Sequence, residues 1–203
     1  MRAILGLALA VFVAGAAPAR ADTLFTPFVG SNLSGTISAP VGSLVGDPSR
    51  TTFGGSIAVM GGGVFGVEAD FGYSPRFFGS DIEVRGVPLS LVRNNVTTGM
   101  VNLTVGLPLE GRSGVGLRPY AVAGVGVIRQ QLDVAGGAIS HTSTDLGYDV
   151  GGGAILFFGR HVGLRGDLRY LSTTGSNPFA SLVNLREGSF HFTRASVGLT
   201  LRY

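Results

Sequence analysis

The chain of 203 residues contains no cysteine and no lysine. The first absence removes disulfide staples and thiol chemistry, and it is compatible with an exported protein that does not rely on disulfides. Histidine is scarce: His141, His161 and His191 stand apart and share no metal-ligand spacing. Charged residues make up only 13% of the chain, and after residue 21 no apolar run approaches the roughly 20 residues of a membrane-spanning helix. One match to a dinucleotide motif, Gly61-Gly62-Gly63-Val64-Phe65-Gly66, is followed by a strand pattern and not by the helix that such a motif opens. No catalytic, cofactor-binding or metal site is therefore expected.

What is present begins with an export leader. Met1-Arg2 gives a short positive start, residues 3 to 16 are almost wholly apolar, and Pro18-Ala19-Arg20-Ala21 offers a small-residue cleavage site. We expect a signal peptide over 1–21 and one mature domain over 22–203. Cleavage takes Arg2 and Arg20 from the 15 basic residues and leaves 13 against 12 acids, so the net charge of +3 does not point to nucleic acid. The mean hydropathy is +0.40 and there are 34 glycines. So much apolar surface without a spanning helix calls for lipid met by alternate residues.

The apolar period is two. Phe65, Val67, Ala69, Phe71 and Tyr73 share one face, with Glu68 and Asp70 on the other. Residues 162–170 repeat the scheme, Val162, Leu164, Leu168 and Tyr170 against Arg165, Asp167 and Arg169. Similar runs cover 51–60, 96–106, 145–158 and 190–203, and less clean ones cover 23–33 and 117–129. Eight strands result. Short connections at 61–63, 107–116 and 159–161 alternate with long ones at 34–50, 75–91, 130–144 and 171–188. An eight-stranded antiparallel up-and-down transmembrane β-barrel gives this order, with both termini and the short turns in the periplasm and the long loops outside. A soluble barrel could share the alternation, but its outer surface would be polar. The tyrosines fit the membrane reading: Tyr73, Tyr148 and Tyr170 fall near external strand ends and Tyr120 and Tyr203 near periplasmic ends, as two aromatic belts require.

The last strand, Ser196-Val197-Gly198-Leu199-Thr200-Leu201-Arg202-Tyr203, resembles the C-terminal signal that the insertion machinery reads in bacterial outer-membrane barrels, with Ser196, Gly198, Leu201 and Tyr203 in the signal positions. Together with 119–126 and 163–170 it makes residues 22–203 similar to the eight-stranded outer-membrane barrel superfamily of the OmpA transmembrane domain, OmpX and the Opa adhesins. The resemblance implies a monomer in the cell outer membrane, in contact with outer-membrane lipid, lipopolysaccharide and the barrel-insertion machinery. It also implies loops that could meet a host or matrix surface, and no cofactor. No peptidoglycan-binding domain follows Tyr203 in this chain.

Facing assigns Glu68, Asp70, Asp149 and Asp167 to the interior with Arg165, Arg169, Arg194 and Arg202, four charges against four. Eight strands leave a lumen that side chains can fill, so we expect an ion network that plugs it. The expected role is structural, surface-interacting or adhesin-like, carried by external loops such as that with Phe77-Phe78 and that spanning 178–187, without enzymatic activity. A narrow gated pore is the alternative. A third, remote reading is a lipid A acyl hydrolase built on His191 and Thr193, which lacks an acidic third member. In an outer-membrane fraction, unboiled and boiled samples should migrate differently on a denaturing gel; recovery in the soluble periplasmic fraction contradicts the whole assignment.

Overall fold

The computed structural model describes residues 22–39, 42–46, 50–60, 64–77, 81–84, 87–110, 115–134, 140–174 and 190–203. The expected leader 1–21, the 61–63 turn, Phe78, Arg85 and the loop stretch 178–187 lie outside the described residues.

Eight strands build a closed wall: β1 (Asp22–Ala39), β2 (Arg50–Met60), β3 (Phe65–Ser74), β4 (Val87–Gly106), β5 (Val115–Val134), β6 (Ser140–Phe158), β7 (Val162–Thr173) and β8 (Phe190–Arg202). Each pairs antiparallel with its neighbours in the chain, and β8 returns to pair with β1. That seam runs from Leu24↔Arg202 to Ile37↔Phe190, with one irregularity between Asn32 and Ser34. Thr23 and Tyr203 finish it by exchanging backbone hydrogen bonds of 3.1 and 3.0 Å. Closure removes both sheet edges, so every strand finds a ladder partner in a solvent that offers none.

The strands alternate because two solvents meet on their two faces. On β3, Phe65, Val67, Ala69, Phe71 and Tyr73 are exposed while Glu68, Asp70, Gly72 and Ser74 are buried. The outer wall carries Phe53, Ile57, Val101, Leu103, Val125, Leu146, Leu168 and Leu199, all exposed. An apolar band of this kind round a polar interior is a soluble protein turned inside out, and it belongs in hydrocarbon.

The strands outrun their sequence pattern. Ladder pairs Leu132↔His141 and Asp133↔Ser140 carry β5 and β6 well into the 130–144 connection. Short segments Gly42–Gly46 and Asp81–Val84 extend the hairpins at the same end, and Leu109–Glu110 pairs with β5 at the other. Alternation stops where lipid stops, whereas backbone hydrogen bonding continues above it; hydropathy therefore marks the lipid-facing part of a strand and not its end. At the end with both termini, the β6–β7 turn is held by Gly159 at φ 81°, a left-handed conformation suited to glycine. Substituting Val101, outward on β4 between Ala69 and Val125, by Arg should cost about 2–4 kcal/mol of stability, and Leu109→Arg near the barrel end about 0–1. Urea unfolding in lipid vesicles reads both, and equal costs contradict the lipid-facing assignment.

Candidate functional site in the barrel lumen

Three inward positions of β7, Arg165, Asp167 and Arg169, place alternating charges along one wall. Four strands away in the ring, and so on the facing wall, β3 presents Glu68 and Asp70. Glu68 spans the bore: Oε2 lies 2.5 Å from Arg165 Nη1, and Oε1 lies 2.5 Å from Arg169 Nη2. Arg169 also donates to Asp167 at 2.7 Å through Nε and to Asp149 of β6 at 3.2 Å through Nη1. Arg165 reaches Asp167 at 2.9 Å and Ser56 at 3.1 Å. Arg194 of β8 donates to Asp70 at 2.8 Å and lies over the Phe28 ring, 4.7 Å from its centroid. Asn102 of β4, with its amide nitrogen toward Asp149 Oδ1 and its oxygen toward Arg169 Nη1, joins at 2.6 and 2.7 Å.

Burying so many charges is costly unless each is paired and hydrogen-bonded, and removing a single partner strands the other. Room for the long guanidinium groups comes from glycine. A Cβ on Gly72 would lie 2.5 Å from Arg194 Nη1 and 2.7 Å from Thr98 Oγ1; one on Gly151 would lie 2.9 Å from Arg169 Cγ. Gly153 keeps the same kind of clearance, 2.7 Å from a built Cβ, for the Tyr120 hydroxyl. The glycine run 151–153 does not interrupt β6; it lets the network stand against its wall.

Two sequence assignments are corrected. Tyr120 is not in the lipid-facing belt: it is 7% exposed, faces the lumen, donates to Asp167 and accepts from Arg165 Nε at 2.6 Å. The apolar ring suggested lipid, but Tyr120 shares its strand face with Arg118, and that face points inward for both. Arg202 faces inward yet is absent from the central network. It sits at the mouth by the termini, 3.9 Å from Asp22, with Nε donating to the Arg160 carbonyl at 2.6 Å and its guanidinium over Phe157. Being at the last strand residue, it cannot reach the mid-bore carboxylates. The central cluster therefore holds Glu68, Asp70, Asp149 and Asp167 against Arg165, Arg169 and Arg194.

The other assigned residues lie as follows. Tyr73, Tyr148 and Tyr170 stand on the outer face, and Tyr203 is 78% exposed at the opposite end. Tyr148 lies well inside β6, since that strand starts at Ser140. Ser196 and Gly198 face the lumen side of β8, and Leu201 and Tyr203 the outside. His191 and Thr193 face outward, His191 beside the Tyr170 ring at 5.9 Å, and no carboxylate bonds to either among the described residues.

Sequence reasoning missed the apolar layers that bracket the network. Toward the long-loop end Phe77, Val96, Met100, Ile128, Leu171, Phe190 and Phe192 form one cluster. Phe77 meets Phe190 and Phe192 edge-on at 5.4 and 5.1 Å. It is turned inward just after Arg76, a non-glycine residue at φ 52°, and its N–H donates to the Asn94 carbonyl at 2.7 Å. Near the termini Leu24, Ala58, Met60, Tyr120, Val122, Ile155 and Phe157 form a second cluster. The signal was available on β8, where Phe190 and Phe192 share the face of Arg194, and in the apolar Phe77-Phe78 pair after β3, which is more apolar than an idle surface loop needs.

No curated protein matches the chain. Among solved structures, OprG of Pseudomonas aeruginosa is similar at 14% identity over 90% of this chain and 95% of that one, with a TM-score of 0.59. Neisserial surface protein A matches at 14% identity, 90% and 99% coverage and a TM-score of 0.54. Ail of Yersinia pestis, solved with the heparin analogue sucrose octasulfate, matches at 12% identity, 90% and 98% coverage and a TM-score of 0.51. These share the fold. The family model described as outer membrane protein beta-barrel domain matches residues 6–202, and the chain belongs to that family.

Proposed function

We propose that this is a closed outer-membrane barrel with a structural and surface-interacting role, its interactions carried by the long-loop end. The observation that supports this reading is the filled bore: a charge network that crosses it from β3 to β7, with an apolar layer on either side. A cation path needs acidic or carbonyl oxygens free to replace its water shell, and here the four central carboxylates are engaged by arginines. In this reading the leader is cleaved before Asp22, both termini face the periplasm and the long connections face outward. The Ser196-to-Tyr203 strand serves as the insertion signal, and the outward tyrosines sit at the two water-lipid boundaries. A surface role also accords with Ail, which was solved with a sulfated sugar bound. In this reading the protein performs no catalysis, in keeping with the lack of a carboxylate bonded to His191 or Thr193 among the described residues.

Purified protein in a planar bilayer should show no steady unitary conductance, and a stable open level in the unmodified protein selects the pore instead. Glu68→Gln removes the charge that links Arg165 and Arg169 to the facing wall, leaving Asp167 as the carboxylate they share, and should cost about 3–5 kcal/mol in vesicle unfolding. Adding Arg165→Met to Glu68→Gln should return part of that loss. A cost below about 1 kcal/mol for the single change contradicts the network's role in holding the wall together.

A further inference from the structure

Among the arginines whose side chains are described, Arg118, Arg165, Arg169, Arg194 and Arg202 face the lumen and Arg76 and Arg160 lie in turns. Of this set Arg129 projects outward from a barrel strand, exposed, and has no ion pair or hydrogen bond among the described residues. Its place along β5 is at a boundary. The outward series runs Ala121, Ala123, Val125 and Val127, then turns polar at Arg129 and Gln131.

The same change falls on both neighbouring strands. On β4 the outward residues pass from Val101 through Gly99 to Thr97 and Asn95, and on β6 from Leu146 to Thr144 and Thr142. The first polar residues are ladder partners, Thr97↔Arg129 and Arg129↔Thr144, and Tyr73 pairs with Thr97 on the far side. Directly opposed residues bring their Cβ atoms within about 5 Å, so these side chains form one patch. Tyr73 also accepts from Asn95 Nδ2 at 3.3 Å, which ties the next row to it. The patch stands at the long-loop end, at the upper limit of the apolar band.

A guanidinium without a partner among the described residues, placed where hydrocarbon gives way to headgroups, has phosphate as its natural partner, because the planar fork meets two phosphate oxygens at once. The hydroxyls and amides around it extend over four strands. That is wider than a single glycerophosphate headgroup needs and suited to a sugar bearing several hydroxyls. We propose that Arg129, Thr97 and Thr144 bind the phosphorylated disaccharide headgroup of an outer-leaflet glycolipid of the lipid A type, with Arg129 on the phosphate. The site rests on the reading that the long-loop end faces the outer leaflet.

Native mass spectrometry of the folded protein in detergent, offered bisphosphorylated lipid A, dephosphorylated lipid A and phosphatidylglycerol in turn, tests this. The bisphosphorylated form should bind best, and Arg129→Gln should weaken it by roughly tenfold or more, the loss of a charge-assisted contact. Arg160→Gln, at the opposite end, should leave binding unchanged. Retention of the gel-mobility shift shows that each variant is folded. Equal lipid A binding by Arg129→Gln and the unmodified protein overturns the site. Equal, Arg129-dependent binding of phosphatidylglycerol overturns the glycolipid as occupant. The orientation is checked separately: the chain has no native cysteine, so a single Thr142→Cys should react with a membrane-impermeant maleimide on intact cells. Failure there, with binding intact in detergent, rejects the orientation and leaves the headgroup contact standing.

Discussion

The pairing of Glu68 with Arg165 and Arg169 across the bore is the contact on which the interior depends. A ring of eight strands encloses a space only wide enough for side chains, and whatever fills it must satisfy itself, since neither lipid nor bulk water reaches it. Glu68 does so by linking opposite walls, and the remaining members fit round that link. Asp167 accepts from both arginines and from Tyr120, Asp149 takes another arm of Arg169, and Asp70 takes Arg194. The apolar clusters flank these contacts at each end. Lower polarity strengthens every paired contact and raises the cost of any unpaired one.

The wall and the interior obey opposite rules, and this decides what the sequence could reveal. On β3 and β7 the difference is extreme, Phe or Leu outside and a charge inside, so period and facing were both legible for Glu68, Asp70, Arg165, Asp167 and Arg169. On β5 the outward residues are small, Ala121 and Ala123, while a large aromatic, Tyr120, points inward. Size and apolarity then suggested the wrong side for Tyr120. The neighbouring Arg118 carried the better information, because a strand cannot turn one of two residues spaced by two without the other. Arg202 shows another limit. Its face was legible, but alternation gives no depth, and depth separates a mid-bore ion pair from one at the rim.

What was not legible was set by tertiary contacts. Phe77 follows the last residue of β3 and, by sequence, belongs to a loop; a left-handed Arg76 and the backbone bond to Asn94 send it into the bore. Gly72, Gly151 and Gly153 look like weak points within strands, yet each stands where a guanidinium or phenol from another strand needs the volume of a missing Cβ. Glycine at these positions gives the bulky polar side chains of other strands their room.

The use of arginine rather than lysine in mid-bore follows from the same geometry. Arg169 donates to Asp167 from Nε, to Asp149 from Nη1 and to Glu68 from Nη2, three carboxylates on three strands held by one planar group. An ammonium has three donors too, but they radiate from one atom, so a lysine could sit beside one carboxylate while the others kept unmet charge. In water that difference is small. In a bore sealed at both ends by phenylalanine and aliphatic side chains it decides whether four acids can be buried at all. The interior thus requires a fork rather than a point charge at Arg169. Arg165 meets that requirement in the same way, reaching Glu68, Asp167, Ser56 and Tyr120 from a single backbone position.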